Sequence, residues 1–190
     1  MTSKDQIAVV GAGLMGTGIA HAFANSGHTV TLVDTNQAAL ARARDNIAKI
    51  LADGVRLGKS TQANADAALQ RLVLAATLDA TSQATTLVIE TATENLAIKQ
   101  GIVRDAEARY TPDAVIATNT SALSITEIAS AAKAPQRVVG MHFFNPVHKM
   151  KLVEVVRGLE TTAATVQRAR DWATAIGKTR PLTAAPRRWG

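Results

Sequence analysis

The stretch Ile7-Ala8-Val9-Val10-Gly11-Ala12-Gly13-Leu14-Met15-Gly16 decides the fold. Four apolar residues ended by glycine read as a short buried strand. From Leu14 to Ser26 the apolar spacing turns helical, and Gly27 supplies a C-terminal stop. A glycine-rich turn between a strand and a helix has a mechanical meaning. The first glycine permits the tight turn, the second lets a pyrophosphate approach the backbone, and the third lets the helix pack closely on the strand. Amides at the helix start then face a diphosphate. Gly11, Gly13, Leu14, Met15 and Gly16 are therefore candidate dinucleotide-binding residues.

Working outward, Thr29-Val30-Thr31-Leu32-Val33-Asp34 is rich in β-formers and predicts a second strand ending in a carboxylate. Asp34 follows Gly16 by 18 residues, close to the ~20 at which an acid accepts hydrogen bonds from an adenosine ribose. An acid there also repels a 2′-phosphate, which favours NAD over NADP. A tight turn and a surface Asp would each be unremarkable; the strand–turn–helix context with this spacing favours the cofactor.

Helical patterns follow at 37–57 and 61–71, split by Gly58-Lys59-Ser60 with Thr61 as a plausible cap. Strand patterns recur at 72–75, 86–89, 114–117, 137–141 and 152–156, with helical stretches at 94–109, 124–132 and 162–176. Strands alternating with helices predict right-handed crossovers and an α/β, doubly wound, mostly parallel sheet of Rossmann type, with a helical insertion after the second strand.

Composition narrows the class. The chain has 190 residues, 47% hydrophobic and 3% aromatic, with no cysteine. That apolar content excludes a disordered chain, and the missing cysteines exclude a disulfide-stapled module. No run approaches the ~18 apolar residues of a membrane span, and the N-terminal residues carry no signal-like apolar stretch, so the expectation is a cytoplasmic protein. The net charge is +6, of which Arg180, Arg187 and Arg188 near the C-terminus supply three. Without a basic run or interleaved aromatics, the charge points to acidic phosphorylated ligands rather than nucleic acid. No metal-ligand spacing is present.

The second half carries Glu94-Asn95-Leu96, Asn119-Thr120-Ser121, His142-Phe143-Phe144-Asn145-Pro146 and Lys151-Leu152-Val153-Glu154-Val155. With the glycine loop, these blocks resemble the 3-hydroxyacyl-CoA dehydrogenase family, particularly its 3-hydroxybutyryl-CoA dehydrogenase members, over residues 5–178. The resemblance implies NAD-dependent oxidation of the 3-hydroxyl of an (S)-3-hydroxyacyl-CoA to the 3-ketoacyl-CoA, in fatty-acid metabolism. It matches His142 to the catalytic histidine, Glu154 to its carboxylate partner, and Ser121 to a serine near the substrate oxygen and nicotinamide. It matches Asn145 to a cofactor-side amide that also nears substrate, and Glu94 and Lys99 to cofactor contacts. The chemistry is reasonable in its own terms, since secondary-alcohol oxidation needs a base for the hydroxyl proton and imidazole suits it. Glu154 within an apolar strand also calls for a partner. Lys99 reads equally as a solvated helix residue, His21 and His28 as structural, and His148 as a surface residue.

The helical insertion resembles an arm that helps bind coenzyme A. Lys49, Arg56 and Lys59 are the cations placed for its phosphates, with a charged outer helix face as the plainer reading. Ile50 falls where some relatives carry a polar contact, and Ala122 where many carry a second serine. After Gly177-Lys178-Thr179 the pattern departs from the family, whose next segment opens an all-helical, dimer-forming domain. The expectation is an NAD-binding domain over 1–178, an atypical tail over 179–190 from an out-of-frame ending or truncation, and no helical domain. An NAD-binding fragment inactive alone and a sugar-acid 3-dehydrogenase of the same family are the alternatives.

Overall fold

The computed structural model describes residues 5–179 and the backbone of 182–183. In chain order the elements are β1 (Gln6–Val10), α1 (Leu14–Asn25), β2 (Thr29–Val33), α2 (Gln37–Arg56), α3 (Gln62–Gln70), β3 (Leu72–Ala75), β4 (Thr85–Glu90) and α4 (Leu96–Arg109). They continue with β5 (Val115–Thr118), α5 (Ile125–Ala129), β6 (Val138–Phe143), β7 (Val153–Val156), α6 (Ala163–Ala175) and β8 (Leu182–Thr183). One sheet results, in the order β3-β2-β1-β4-β5-β6-β7-β8. Every pairing is parallel except β6 with β7.

This order follows from the sequence. Alternation along β1 sends Ile7 and Val9 into one core and Ala8 into the other. The first core holds residues of α1, α2, α3 and α6, including Phe23, Leu40 and Trp172; the second holds α4 and α5 through Val103 and Ile128. Both faces of the sheet are thus covered, as parallel strands require. The chain builds outward from β1 to β3, then returns to the other side of β1 with β4. That reversal opens a crevice at the C-terminal ends of β1 and β4, where doubly wound sheets hold ligands.

Five helices start with a side chain accepting a backbone amide: Asn36, Thr61, Asn95, Ser124 and Thr162. The sixth, α1, starts at Gly13 with no side-chain cap. The expected helix over 124–132 stops at Ala129, because the amides of Ala131 and Ala132 bond three residues back rather than four. Where periodicity offers no element in 179–190, Thr179 bridges Leu152 and Leu182–Thr183 pairs with β7. Two residues are too few for alternation to register. Arg180, Arg187 and Arg188 lie outside the described residues.

Candidate active site

The glycine loop is fixed from three sides. Gly11 adopts φ +105°, a left-handed conformation that favours glycine. A Cβ on Gly16 would lie 1.8 Å from the Gly11 carbonyl oxygen, so the close approach is helix to loop rather than helix to strand. The Thr91 hydroxyl donates to the carbonyls of Val10 and Gly11 at 2.9 and 3.1 Å. Gly13 differs: a Cβ there would meet nothing within 4 Å. The space over it is open to a ligand. Asp34 accepts from the amides of Ala12 and Asn36, each at 2.8 Å, and so ties the loop to the end of β2. Leu14 is exposed and Met15 half-buried at the helix start.

Gly11 and Asp34 line a cleft of about 810 Å³, and Asp34, Gly13 and Leu14 line an adjoining one of about 690 Å³. The glycine cradle, the uncapped helix start and the carboxylate together fit a dinucleotide: diphosphate over Gly13, ribose against Asp34.

A third cavity, of about 410 Å³, gathers Met15, Glu94, Lys99, Ser121, His142 and Asn145. His142 leaves β6 directly opposite Glu154 of β7 in the antiparallel register. Its Nδ1 lies 3.2 Å from Glu154 Oε2, with about one-fifth of each side chain exposed. An ionised carboxylate only accepts, so Nδ1 carries the proton and Nε2 is left as an acceptor. The Phe144 ring packs 4.5 Å from the imidazole. Ser121 and Asn145 are exposed on the cavity wall, and a cis peptide joins Asn145 to Pro146. Lys59 belongs elsewhere, exposed beyond α2 on a separate cavity with His21 and His148.

Lys99 is neither solvated nor free. It is 1% exposed, with both oxygens of Glu90 at 3.0 Å, the Ala92 carbonyl at 3.2 Å and Glu94 at 3.3 Å. Burial works to raise the Glu94 carboxyl, but the Thr120 hydroxyl, the Lys99 ammonium and the Ala122 amide outweigh it and hold it below the usual range. Glu94 therefore stays ionised at the cavity rim.

Two contributors carry no role in the sequence reading. Glu90 is fully buried and also accepts from the Thr118 hydroxyl and the Ala92 amide, each at 2.6 Å. The signal was present: an acid closing an apolar strand needs a partner, the same reasoning that applies to Glu154. Asn119 stands in a quoted block, and its Oδ1 accepts from the Phe143 amide at 2.8 Å, fixing the end of β6 beside His142.

Residues 6–184 match the family model described as 3-hydroxyacyl-CoA dehydrogenase, NAD binding domain. The chain belongs to that family. Among similar family members, it is 42% identical to the 3-hydroxyadipyl-CoA dehydrogenase of Escherichia coli (strain K12) over 94% of this chain and 37% of that protein. It is 41% identical to the probable 3-hydroxybutyryl-CoA dehydrogenase of Bacillus subtilis (strain 168), over 92% of this chain and 60% of that one. The crystal structure of (S)-3-hydroxybutyryl-CoA dehydrogenase from Ralstonia eutropha superposes with a TM-score of 0.89 at 38% identity, covering 94% of this chain and 62% of that one. The chain thus spans 37–60% of the length of these two curated relatives.

Proposed function

We propose that this member of the 3-hydroxyacyl-CoA dehydrogenase family binds NAD and oxidises the 3-hydroxyl of an (S)-3-hydroxyacyl-CoA, such as 3-hydroxybutyryl-CoA, to the ketone. The observation that carries the reading is the His142–Glu154 pair, 3.2 Å apart, in a cavity that also holds Met15 of the glycine-loop helix. NAD supplies the hydride acceptor when bound. His142 Nε2 takes the hydroxyl proton while hydride leaves the same carbon, so alcohol becomes ketone with one proton on the imidazole. Glu154 holds the tautomer that leaves Nε2 free, and its charge offsets the imidazolium that forms. Ser121 and Asn145 are the polar wall groups suited to the substrate oxygen and the cofactor amide. Gly11, Gly13, Leu14, Met15 and Gly16 hold the diphosphate, Asp34 the ribose, and Glu94, anchored on Lys99, bounds the cofactor side. The names of the relatives support the thioester substrate.

The test is reduction of acetoacetyl-CoA by the chain, followed by loss of NADH absorbance. NADH binding with turnover that disappears in His142→Ala supports the reading; turnover retained in that variant overturns it. The exposure of Ser121 and Asn145 favours a second reading, a cofactor-binding unit that excludes water only when covered. It predicts clear NADH binding without turnover by the chain alone. Dimer formation and an acyl-CoA partner belong to the first reading.

A further inference from the structure

The segment after β5 brings Ser121 to the cavity wall and is pinned on both sides of it. Thr118, the last residue of β5, donates to Glu90 Oε2 at 2.6 Å, and Asn119 accepts from the Phe143 amide at 2.8 Å. On the far side, Ser124 accepts from the Glu127 amide and starts α5. Ser121 between them is exposed, and its hydroxyl makes no hydrogen bond among the described residues.

The remaining fixed point is Thr120, which is buried and does not line the cavity. Its hydroxyl donates to Glu94 Oε1, and its oxygen accepts from the amides of Ala122 at 3.3 Å and Leu123 at 2.9 Å. A threonine hydroxyl has one proton and two lone pairs, so its whole capacity is used here. The bend that holds Ser121 is thus closed by the side chain just before it. The Ala122 amide also reaches Glu94 Oε1 at 3.3 Å, so the carboxylate touches this bend twice. Glu94 itself is held 3.3 Å from the Lys99 ammonium, which is fixed by Glu90, the acceptor of Thr118. Thr118, Glu90, Lys99, Glu94 and Thr120 therefore form a closed circuit around the base of the Ser121 bend.

We propose that Thr120 is a positioning residue that locks the Ser121 bend to Glu94, so that the two walls of the cavity are set as one unit. The proposal rests on the acyl-CoA reading only for calling the Ser121 wall the substrate side and the Glu94 wall the cofactor side. Ordering a mobile segment at the moment of binding costs affinity. A bend already closed by Thr120 presents Ser121 with its backbone in place and its hydroxyl unspent. The same hydroxyl keeps Glu94 from swinging into solvent. Thr120 acts on any ligand through these two neighbours.

The experiment compares the 190-residue chain with Thr120→Val, Thr120→Ser, Glu94→Ala and the Thr120→Val/Glu94→Ala pair. Amide hydrogen exchange is followed by mass spectrometry over residues 119–124, and NADH is titrated by fluorescence on the same samples. Thr120→Val, which removes the hydroxyl at similar volume, is expected to speed exchange at Ala122 and Leu123 and to weaken NADH binding, each by about tenfold. Thr120→Ser is expected to restore both to within about twofold, and Thr120→Val to add little to the NADH loss once Glu94 is alanine. Equal NADH losses from Thr120→Val in both backgrounds overturn the proposal, because a merely structural threonine acts independently of Glu94. Serine performing no better than valine overturns it too. Should Thr120→Val not fold, Glu94→Ala decides: faster exchange at Ala122 supports the lock, and unchanged exchange overturns it. Absence of NADH binding by the parent chain refutes the cofactor reading alone, and the exchange rates of Thr120→Val and Glu94→Ala then decide the lock.

Discussion

Glu90 and Lys99 form an ion pair withdrawn from solvent, 0% and 1% exposed, with both carboxylate oxygens 3.0 Å from the ammonium. The pair joins the end of β4 to the first turn of α4, and the loop between them carries Glu94 to the cavity. Removing Lys99 leaves the buried Glu90 carboxylate without a cation, and removing Glu90 leaves the buried ammonium with Glu94 as its remaining carboxylate. Glu90→Gln or Lys99→Met is expected to lower stability by about 3–5 kcal/mol, whereas the double substitution Glu90→Gln/Lys99→Met costs much less than the sum. Urea unfolding of the three variants measures this.

On the proposed reading, the His142–Glu154 pair separates chemistry from binding. In any preparation that turns over, His142→Asn is expected to lower kcat by about 10²–10⁴-fold. Glu154→Gln is expected to lower kcat too, because an amide can present the wrong hydrogen-bonding partner to Nδ1. NADH affinity, followed by nicotinamide fluorescence, should change little in either.

Gly13 and Gly16 give opposite readouts although they stand three residues apart. Alanine at Gly16 forces its Cβ against the Gly11 carbonyl at 1.8 Å, so both stability and NADH binding should fall. Alanine at Gly13 meets no protein atom within 4 Å. Its melting temperature should stay near that of the parent, while NADH binding weakens through lost backbone approach. Thermal melts paired with NADH titrations distinguish the two.

His21 makes stability depend on pH. Its folded-state value of about 4 lies below the ordinary ~6.5, so the unfolded chain binds the extra proton between them. Its contribution is fully present above pH ~6.5 and is lost as the pH falls toward 4, by about 3 kcal/mol at most. Chemical denaturation from pH 4 to 7 should therefore show stability rising with pH, and His21→Gln should flatten that rise.

Much of this site was legible because its parts are local in sequence. Gly11 to Gly16, Asp34 and the His142 block each announce themselves by residue type and spacing, and the alternation of strands with helices orders the sheet. What was not legible depends on distant groups. Lys99 looks like any helix lysine until Glu90 arrives from β4, and Asn119 gains its role only when β5 lies beside β6. His21 and His148, 127 residues apart, meet only because the loop after β6 packs on α1, where Gly18 leaves room for Val147.

The antiparallel strand β7 makes folding a proofreader for the His142–Glu154 contact. Val153 and Val155 are buried on one side of it, while Glu154 between them reaches His142. A slip of one residue would turn both valines toward the cavity and drive the carboxylate into the core. The apolar packing that stabilises this part of the sheet thus selects the same register that brings His142 and Glu154 together.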